Sequence, residues 1–126
     1  MIKKELRSIL LIDDDKNDNF YHEREILKAK PGLTIITKNS GMEALEFLKA
    51  SRDKPQLIFL DINMPVMDGI EATKKANLLY RDINIIAVSF HDEMKFIKQM
   101  IEAGAKNYVI KEDLNKSILE KIILRH

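Results

Sequence analysis

The sequence lacks cysteine, a strong excess of either charge and any long apolar run. Without cysteine, the chain has neither disulfides nor thiolate metal sites. A net charge of +1, with no basic run and no acidic tail, argues against a nucleic-acid-binding protein. Its apolar runs are far shorter than the ~20 residues of a membrane-spanning helix. We therefore expect a cytoplasmic protein that contacts neither nucleic acid nor membrane.

The composition is that of one globular domain. The 126 residues are enough for a substantial core, and 45% hydrophobic with 33% charged residues is an ordinary balance. No repeat, low-complexity segment or linker divides the chain, so we expect a single domain over residues 1–126.

Five short apolar runs alternate with five segments of helical character. The runs are nearly continuous rather than alternating, which is typical of strands covered on both faces of a parallel sheet. The strands are predicted at 9–12, 33–37, 57–60, 83–88 and 108–110, and the helices at 18–30, 40–50, 69–80, 91–103 and 113–124. With right-handed connections, this order predicts an α/β, flavodoxin-like (βα)5 fold, a doubly wound five-stranded parallel sheet of order 2-1-3-4-5.

Polar residues end four of the predicted strands. Asp13–Asp15 follow the first strand, Asp61 follows the third, Ser89 ends the fourth and Lys111 follows the fifth. Because the carboxyl ends of parallel strands lie along one edge, these residues should meet in one shallow cleft. Taken singly, each has an ordinary explanation, such as a helix-capping loop or a surface lysine. Their joint placement is the stronger signal.

This set of side chains points to phosphoryl transfer with a divalent cation. Clustered carboxylates repel one another, and a hard cation such as Mg²⁺, or Mn²⁺ in its place, takes oxygen ligands and neutralises them. A carboxylate can also act as the nucleophile that forms an aspartyl phosphate. A metal, a lysine and a hydroxyl would then stabilise the charge on the transferring group.

With these residues in place, the chain resembles the receiver domain of two-component response regulators. The matching stretches are "LLIDDD", "LIFLDINMPVMDGIEA", "IIAVS" and "EAGAKNYVIK". The resemblance implies a phosphoacceptor switch rather than a multiple-turnover enzyme, with no output domain in this chain. The phosphoryl donor would be a phosphohistidine on a sensor histidine kinase or a histidine phosphotransfer protein.

The resemblance also implies a metal site. Asp61 would be the phosphoacceptor and, with Asp14, would bind Mg²⁺ through its carboxylate. Asn63 would bind the ion through its backbone carbonyl, and Asp13 through a metal-bound water.

A switch would follow phosphorylation. Lys111 would pair with the phosphoryl oxygens, Ser89 would move to hydrogen-bond one of them, and Tyr108 would turn inward into the vacated space. The surface of the fourth helix, fifth strand and fifth helix would change with them. The downstream partner that reads this surface is unknown, and the same surface is a candidate homodimer interface.

Three residues depart from the family's usual pattern. Glu112 follows Lys111 where proline is common, which predicts either a trans bond with an altered loop or a strained cis bond. Phe90 stands where a small residue is usual, which predicts slow phosphorylation by small donors and a long-lived aspartyl phosphate. His91, with Asn63, would tune that lifetime, although His91 at a helix start has an equally good structural explanation.

Other apolar and histidine positions carry weaker expectations. Phe20 and Tyr21 are predicted to lie in the core or partly in it, and His22 and His126 on the surface. The last helix has an unusually broad apolar stripe, of which core packing explains about half and a partner surface the remainder. The stripe consists of Ile118, Leu119, Ile122, Ile123 and Leu124.

Three other classes of protein compete with this interpretation. A metal-dependent phosphohydrolase would need a differently spaced acid pair after the first strand and a cap domain. A nucleotide-binding module would need a glycine-rich loop there, and "DDDKND" has no glycine. A degenerate receiver acting as a phosphorylation-independent docking module is opposed by the complete residue set, while Phe90 and Glu112 keep it open.

Overall fold

The computed structural model describes residues 6–61, 69–80, 83–89, 94–111 and 114–125. Strands and helices alternate along the chain, and within the described residues no helix is long and apolar enough to cross a membrane. The elements are β1 (Ser8–Ile12), α1 (Lys16–Ala29), β2 (Thr34–Lys38), α2 (Gly41–Ala50), β3 (Leu57–Asp61), α3 (Gly69–Leu79), β4 (Asn84–Ser89), α4 (Met94–Ala103), β5 (Asn107–Ile110) and α5 (Lys116–Arg125).

The strands form one parallel sheet of order β2-β1-β3-β4-β5, which confirms the predicted flavodoxin-like fold. All five residues of the central strand β3 are buried, as its unbroken apolar run predicts. β2 lies at an edge and is half exposed, which explains its less apolar sequence.

Helices cover both faces of the sheet. Alternate side chains of each strand point to opposite faces, so Leu10 and Ile58 pack in one core beneath α2 and α3, and Ile9 and Leu57 in the other beneath α1 and α5. Each fully buried aliphatic side chain contributes about 1.5–3 kcal/mol relative to exposure. These two cores fix the sheet between the helices and so fix the positions of the residues at its carboxyl edge.

Side chains and glycine set the ends of the helices. Asp15 caps α1, accepting hydrogen bonds from the backbone N–H groups of Asn17 and Asp18. Ser40 caps α2 by accepting from Glu43 N–H at 3.1 Å. Gly104, with φ of +121°, follows the last residue of α4 and ends that helix.

The predicted inward face of α1 is wrong. Phe20 and Tyr21 are 62% and 50% exposed, whereas His22, predicted to lie on the surface, is 5% exposed. The buried positions are instead Asn19, His22 and Ile26, since the cap at Asp15 starts the helix at Lys16 rather than at residue 18 and so fixes which side faces the sheet. The sequence offered no regular apolar period here to reveal that face.

Two later helices also differ in detail from the prediction. In α4, the spacing of apolar residues predicts that Ile97 and Ile101 share the inward face, but Ile97 and Met100 are buried and Ile101 is 45% exposed. In the last helix, Leu119 is fully buried, while Ile118, Ile122 and Ile123 are partly buried against the same core. The side chain of Leu124 lies outside the described residues, as does His126.

Candidate functional site

The functional site lies where β1, β3 and β5 end. Asp13 follows β1, Asp61 is the last residue of β3, and Lys111 follows β5. The sheet register pairs Ile12 with Leu60 across β1 and β3, which sets the acids that follow these strands beside each other. The structure thus brings the predicted acids and lysine to one edge of the sheet.

Three carboxylates form a compact cluster at this edge. Asp13, Asp14 and Asp61 each offer one oxygen, and these oxygens lie within 4.8 Å of one another. Asp13 and Asp61 are buried and Asp14 is exposed, so the cluster is closed on the protein side and open to water on the other. Hard oxygen donors with an open, hydrated side fit Mg²⁺, which keeps several waters when it binds proteins.

Lys111 is the counter-ion of this cluster. Its Nζ lies 2.6 Å from Asp13 Oδ2, 2.7 Å from Asp18 Oδ2 and 3.7 Å from Asp61 Oδ2. Burial by itself lowers the pKa of Lys111, but the hydrogen bonds to Asp13 and Asp18 and the charge of Asp61 outweigh burial and raise this pKa above its ordinary value. The side chain therefore remains a cation under all ordinary conditions.

Asp13 is held rigidly through its backbone and its carboxylate. Its N–H donates to Lys38 O at 3.1 Å, and its own carbonyl accepts from Asn19 Nδ2 at 3.1 Å and Asn39 Nδ2 at 3.2 Å. Its Oδ1 accepts from Asp15 N–H at 2.9 Å. Burial, aided by the charge of Asp61, raises the pKa of Asp13 to about 6 despite the hydrogen bonds from Lys111 and Asp15.

Two residues of α1, neither of them predicted as site residues, interact electrostatically with Lys111. Asp18, in the first turn, is an ion-pair partner of Lys111. His22, one turn further, is buried, and burial together with the charge of Lys111 lowers its pKa, so its ring is neutral at pH 7. Asp18 and His22 are four residues apart, which places them on the same face of a helix. The sequence could show which way this face points only with α1 starting at Lys16, since the predicted helix began at residue 18.

Several predicted site residues lie outside the described residues, namely Asn63, Phe90, His91 and Glu112. The geometry of the Lys111–Glu112 bond is therefore not described either. Ser89 is the last residue of β4 and pairs with Ile110, so its backbone reaches the site's edge, but its side chain is not among those described. Tyr108, on β5, is 38% exposed.

Comparison with known proteins identifies the family of this chain. The profile of the response regulator receiver domain matches residues 9–123, and the chain belongs to this family. Receiver domains are signalling switches that bind Mg²⁺ at an acidic pocket and are phosphorylated by histidine kinases or phosphotransfer proteins.

Two curated relatives are 28% and 33% identical to this chain over the aligned residues. The transcriptional regulatory protein DegU of Brevibacillus brevis is 28% identical over 117 residues, which cover 90% of this chain and 48% of DegU. The chemotaxis protein CheY of Treponema pallidum is 33% identical over 116 residues, covering 90% of this chain and 78% of CheY. The chain thus spans about half the length of DegU and more of the shorter chemotaxis protein.

Solved structures have the same fold. A CheY-like receiver domain from Methanospirillum hungatei superimposes with a TM-score of 0.83 at 26% identity, covering 96% of this chain and 94% of that one. The chemotaxis protein CheY4 of Vibrio cholerae gives 0.83 at 24% identity, covering 95% and 98%, and supports the fold alone.

Proposed function

We propose that this domain accepts a phosphoryl group on Asp61, in a Mg²⁺-dependent transfer from a phosphohistidine of a sensor histidine kinase or a histidine phosphotransfer protein. The observation that carries the proposal is the grouping of Asp61 with Asp13, Asp14 and Lys111 at one sheet edge, with carboxylate oxygens within 4.8 Å and Lys111 Nζ 3.7 Å from Asp61. The identified family supports the same reaction.

In the transfer, a carboxylate oxygen of Asp61 attacks phosphorus. A P–O bond forms as the P–N bond of the phosphohistidine breaks, and the imidazole leaves with the electron pair and takes up a proton. Lys111 exchanges its contact with Asp61 for one with the phosphoryl oxygens, a shift that its 3.7 Å separation makes short. Burial of Asp61 limits the access of bulk water to the new acyl phosphate.

The metal would be held by the carboxylates of Asp14 and Asp61, by the backbone carbonyl of Asn63 and, through a water, by Asp13. When bound, Mg²⁺ supplies positive charge that offsets the phosphoryl oxygens and the crowded carboxylates. This chain contributes three oxygens already grouped before the ion arrives, which lowers the cost of ordering the site.

The switch would use Ser89 and Tyr108. Ser89 would donate a hydrogen bond to the phosphoryl group from the end of β4, and Tyr108 would turn inward. The partial exposure of Tyr108 supports this, because a ring that is not locked in the core can change position at small cost. The surface of α4, β5 and α5 would then present the state to a downstream protein or to a second copy of the chain.

The lifetime of the phosphoryl group would depend on Phe90, His91 and Asn63. We expect slow labelling by acetyl phosphate and slow loss, because a residue as large as phenylalanine directly after Ser89 in the sequence would obstruct small donors and attacking water. A half-life of seconds for the wild-type aspartyl phosphate would contradict this, as would a Phe90→Ala variant that loses phosphate no faster.

The test is phosphorylation followed by intact-protein mass spectrometry. The wild type, incubated with acetyl phosphate or a phosphorylated histidine phosphotransfer protein, should gain one phosphoryl group with Mg²⁺ and none with EDTA. Asp61→Asn should gain none, whereas Asp53→Asn, an exposed loop carboxylate, should behave as wild type. Wild type that the phosphorylated phosphotransfer protein leaves unlabelled would favour the docking-module alternative, and sustained turnover of a phosphate ester would favour a phosphohydrolase.

A further inference from the structure

The position of Lys111 is shared between the acid cluster and helix α1. Its ammonium lies as close to Asp18 Oδ2, at 2.7 Å, as to Asp13 Oδ2, at 2.6 Å, and is a full ångström further from Asp61. Asp18 is one-third exposed, while Asp13 and Asp61 are buried. Lys111 is therefore bonded on one side to the carboxylates that would hold a metal and on the other to a carboxylate nearer to solvent.

We infer that Asp18 is a positioning residue that acts through Lys111: it holds the ammonium when a divalent cation binds Asp61 directly and Asp13 through a water, and so raises the affinity of the acid cluster for Mg²⁺. The inference rests on the proposed function, since it concerns the same metal site. Helix α1 would thereby supply a counter-ion for Lys111 that the metal ligands cannot supply while they bind the cation.

Lys111 has two electrostatic states, one without a divalent cation and one with it. Without a cation, Lys111 neutralises Asp13 and Asp61, so an arriving Mg²⁺ must displace a positive charge that is already well paired. Once displaced, a buried ammonium close to a divalent cation is repelled by it and still needs a counter-ion. Asp18 supplies that counter-ion at hydrogen-bonding distance, and without it the displaced state costs more.

The first turn of α1 holds Asp18 beside Lys111. The Asp15 cap starts α1 at Lys16 and receives the N–H of Asp18, which fixes Asp18 in the first turn. A negative charge is favoured there by the helix dipole. An open cleft lined by Asp14, Asp15, Lys16, Asp18 and Lys111 adjoins the cluster, so the pair of Lys111 and Asp18 borders the side from which a hydrated cation would enter.

The experiment measures Mg²⁺ affinity by isothermal titration calorimetry in a double-mutant cycle. The variants are Asp18→Asn, Lys111→Met and the double variant, with Asp15→Asn as the matched control. Asp15→Asn removes the same charge close by, from a carboxylate that caps the helix rather than pairing with Lys111, and asparagine caps as well as aspartate. Thermal unfolding in EDTA checks that each variant folds.

Asp18→Asn should weaken Mg²⁺ binding about tenfold in the wild-type background, the size expected for a lost charge-assisted hydrogen bond. In the Lys111→Met background it should weaken binding only about twofold to threefold, the same general charge effect as Asp15→Asn. Asp18→Glu, which keeps the charge and can still reach Lys111, should remain within about twofold of wild type.

Equal losses from Asp18→Asn in both backgrounds, or a loss no greater than that of Asp15→Asn, would overturn the inference while leaving the proposed function intact. A failure of Asp18→Glu to restore affinity would overturn it as well, because the charge would then not be what matters. If the wild type bound no Mg²⁺, the proposed function would fail and the inference with it. Wild-type binding together with Asp61 labelling separates these cases.

Discussion

Replacing Lys111 by methionine should destabilise the metal-free protein through the charges it leaves behind. The substitution keeps most of the aliphatic volume but removes the ammonium that pairs with Asp13, Asp18 and Asp61. Asp13 and Asp61 are only 3% and 2% exposed, so water cannot replace the lost partner. Breaking a buried ion pair in this way typically costs about 3–5 kcal/mol.

The distances give a similar magnitude. Two carboxylate charges at 4.8 Å, the outer limit for the oxygens of this cluster, repel each other by about 3 kcal/mol at an effective dielectric constant of ~20. The protein can escape by protonating Asp13, whose pKa of about 6 in the folded state makes this cost about 2 kcal/mol at pH 7.5 and almost nothing at pH 5. We therefore expect a loss of about 2 kcal/mol at pH 7.5 and of less than about 1 kcal/mol at pH 5.

Urea unfolding in EDTA at both pH values measures these losses. Mg²⁺ should restore more stability to Lys111→Met than it adds to wild type, because the ion replaces the missing positive charge without having to displace an ammonium. Lys75→Met, which breaks an exposed pair with Glu71 at 3.3 Å, is the control and should cost less than about 1 kcal/mol at either pH. An unchanged stability of Lys111→Met at pH 7.5, or a loss of the same size at pH 5, would refute the reasoning.

Three further substitutions test separate features. In EDTA, the stability of wild type relative to Asp13→Asn should fall by up to about 3 kcal/mol as the pH rises from 4 to 6. The reason is that the pKa of Asp13 is about 6 in the folded state and 3.8 ordinarily, so the folded state keeps the proton on Asp13 to a higher pH. Urea unfolding of the two proteins measures this difference, and a difference that does not change with pH would contradict it. Asp14→Asn should abolish Mg²⁺ binding in calorimetry yet leave metal-free stability equal or higher, since Asp14 is exposed, and a clear loss in thermal unfolding would count against a metal role. Gly104→Ala should lower the melting temperature more than Gly32→Ala, because both have positive φ but only the Cβ at 104 would meet Asn77, at 2.6 Å; equal shifts would argue against that contact.

The sheet and the grouping of charged residues could be predicted because both depend on strand ends. Continuous apolar runs mark strands of a parallel sheet, and the residue after each run then necessarily lies at the carboxyl edge. Which of these residues meet at that edge depends only on the order of the strands, and the right-handed crossover rule restricts that order strongly. Asp13, Asp61 and Lys111 are close together in the structure for this reason.

The rotation of α1 could not be predicted in the same way. Its sequence has polar residues on every side, and two of its three buried positions, Asn19 and His22, are polar. Phe20 and Tyr21 were the natural choice for the core, yet the ring of Phe20 lies at the surface near the guanidinium of Arg24. The inward face of α1 is set by hydrogen bonds as well as by apolar packing, because the buried Asn19 amide donates to the carbonyls of Asp13 and Lys38.

The run of three aspartates after β1 divides into three distinct parts. Asp13 is buried and paired with Lys111, Asp14 faces solvent beside the predicted metal site, and Asp15 caps α1. The cap has the widest consequences, because each residue of helix turns the chain by about 100°. If α1 began one residue earlier or later, Asp18 would rotate away from Lys111. The Asn19 amide would likewise leave the Asp13 carbonyl. Asp15 touches neither metal nor phosphate in the proposed reaction, yet it fixes the rotation of α1 on which the counter-ion of Lys111 depends.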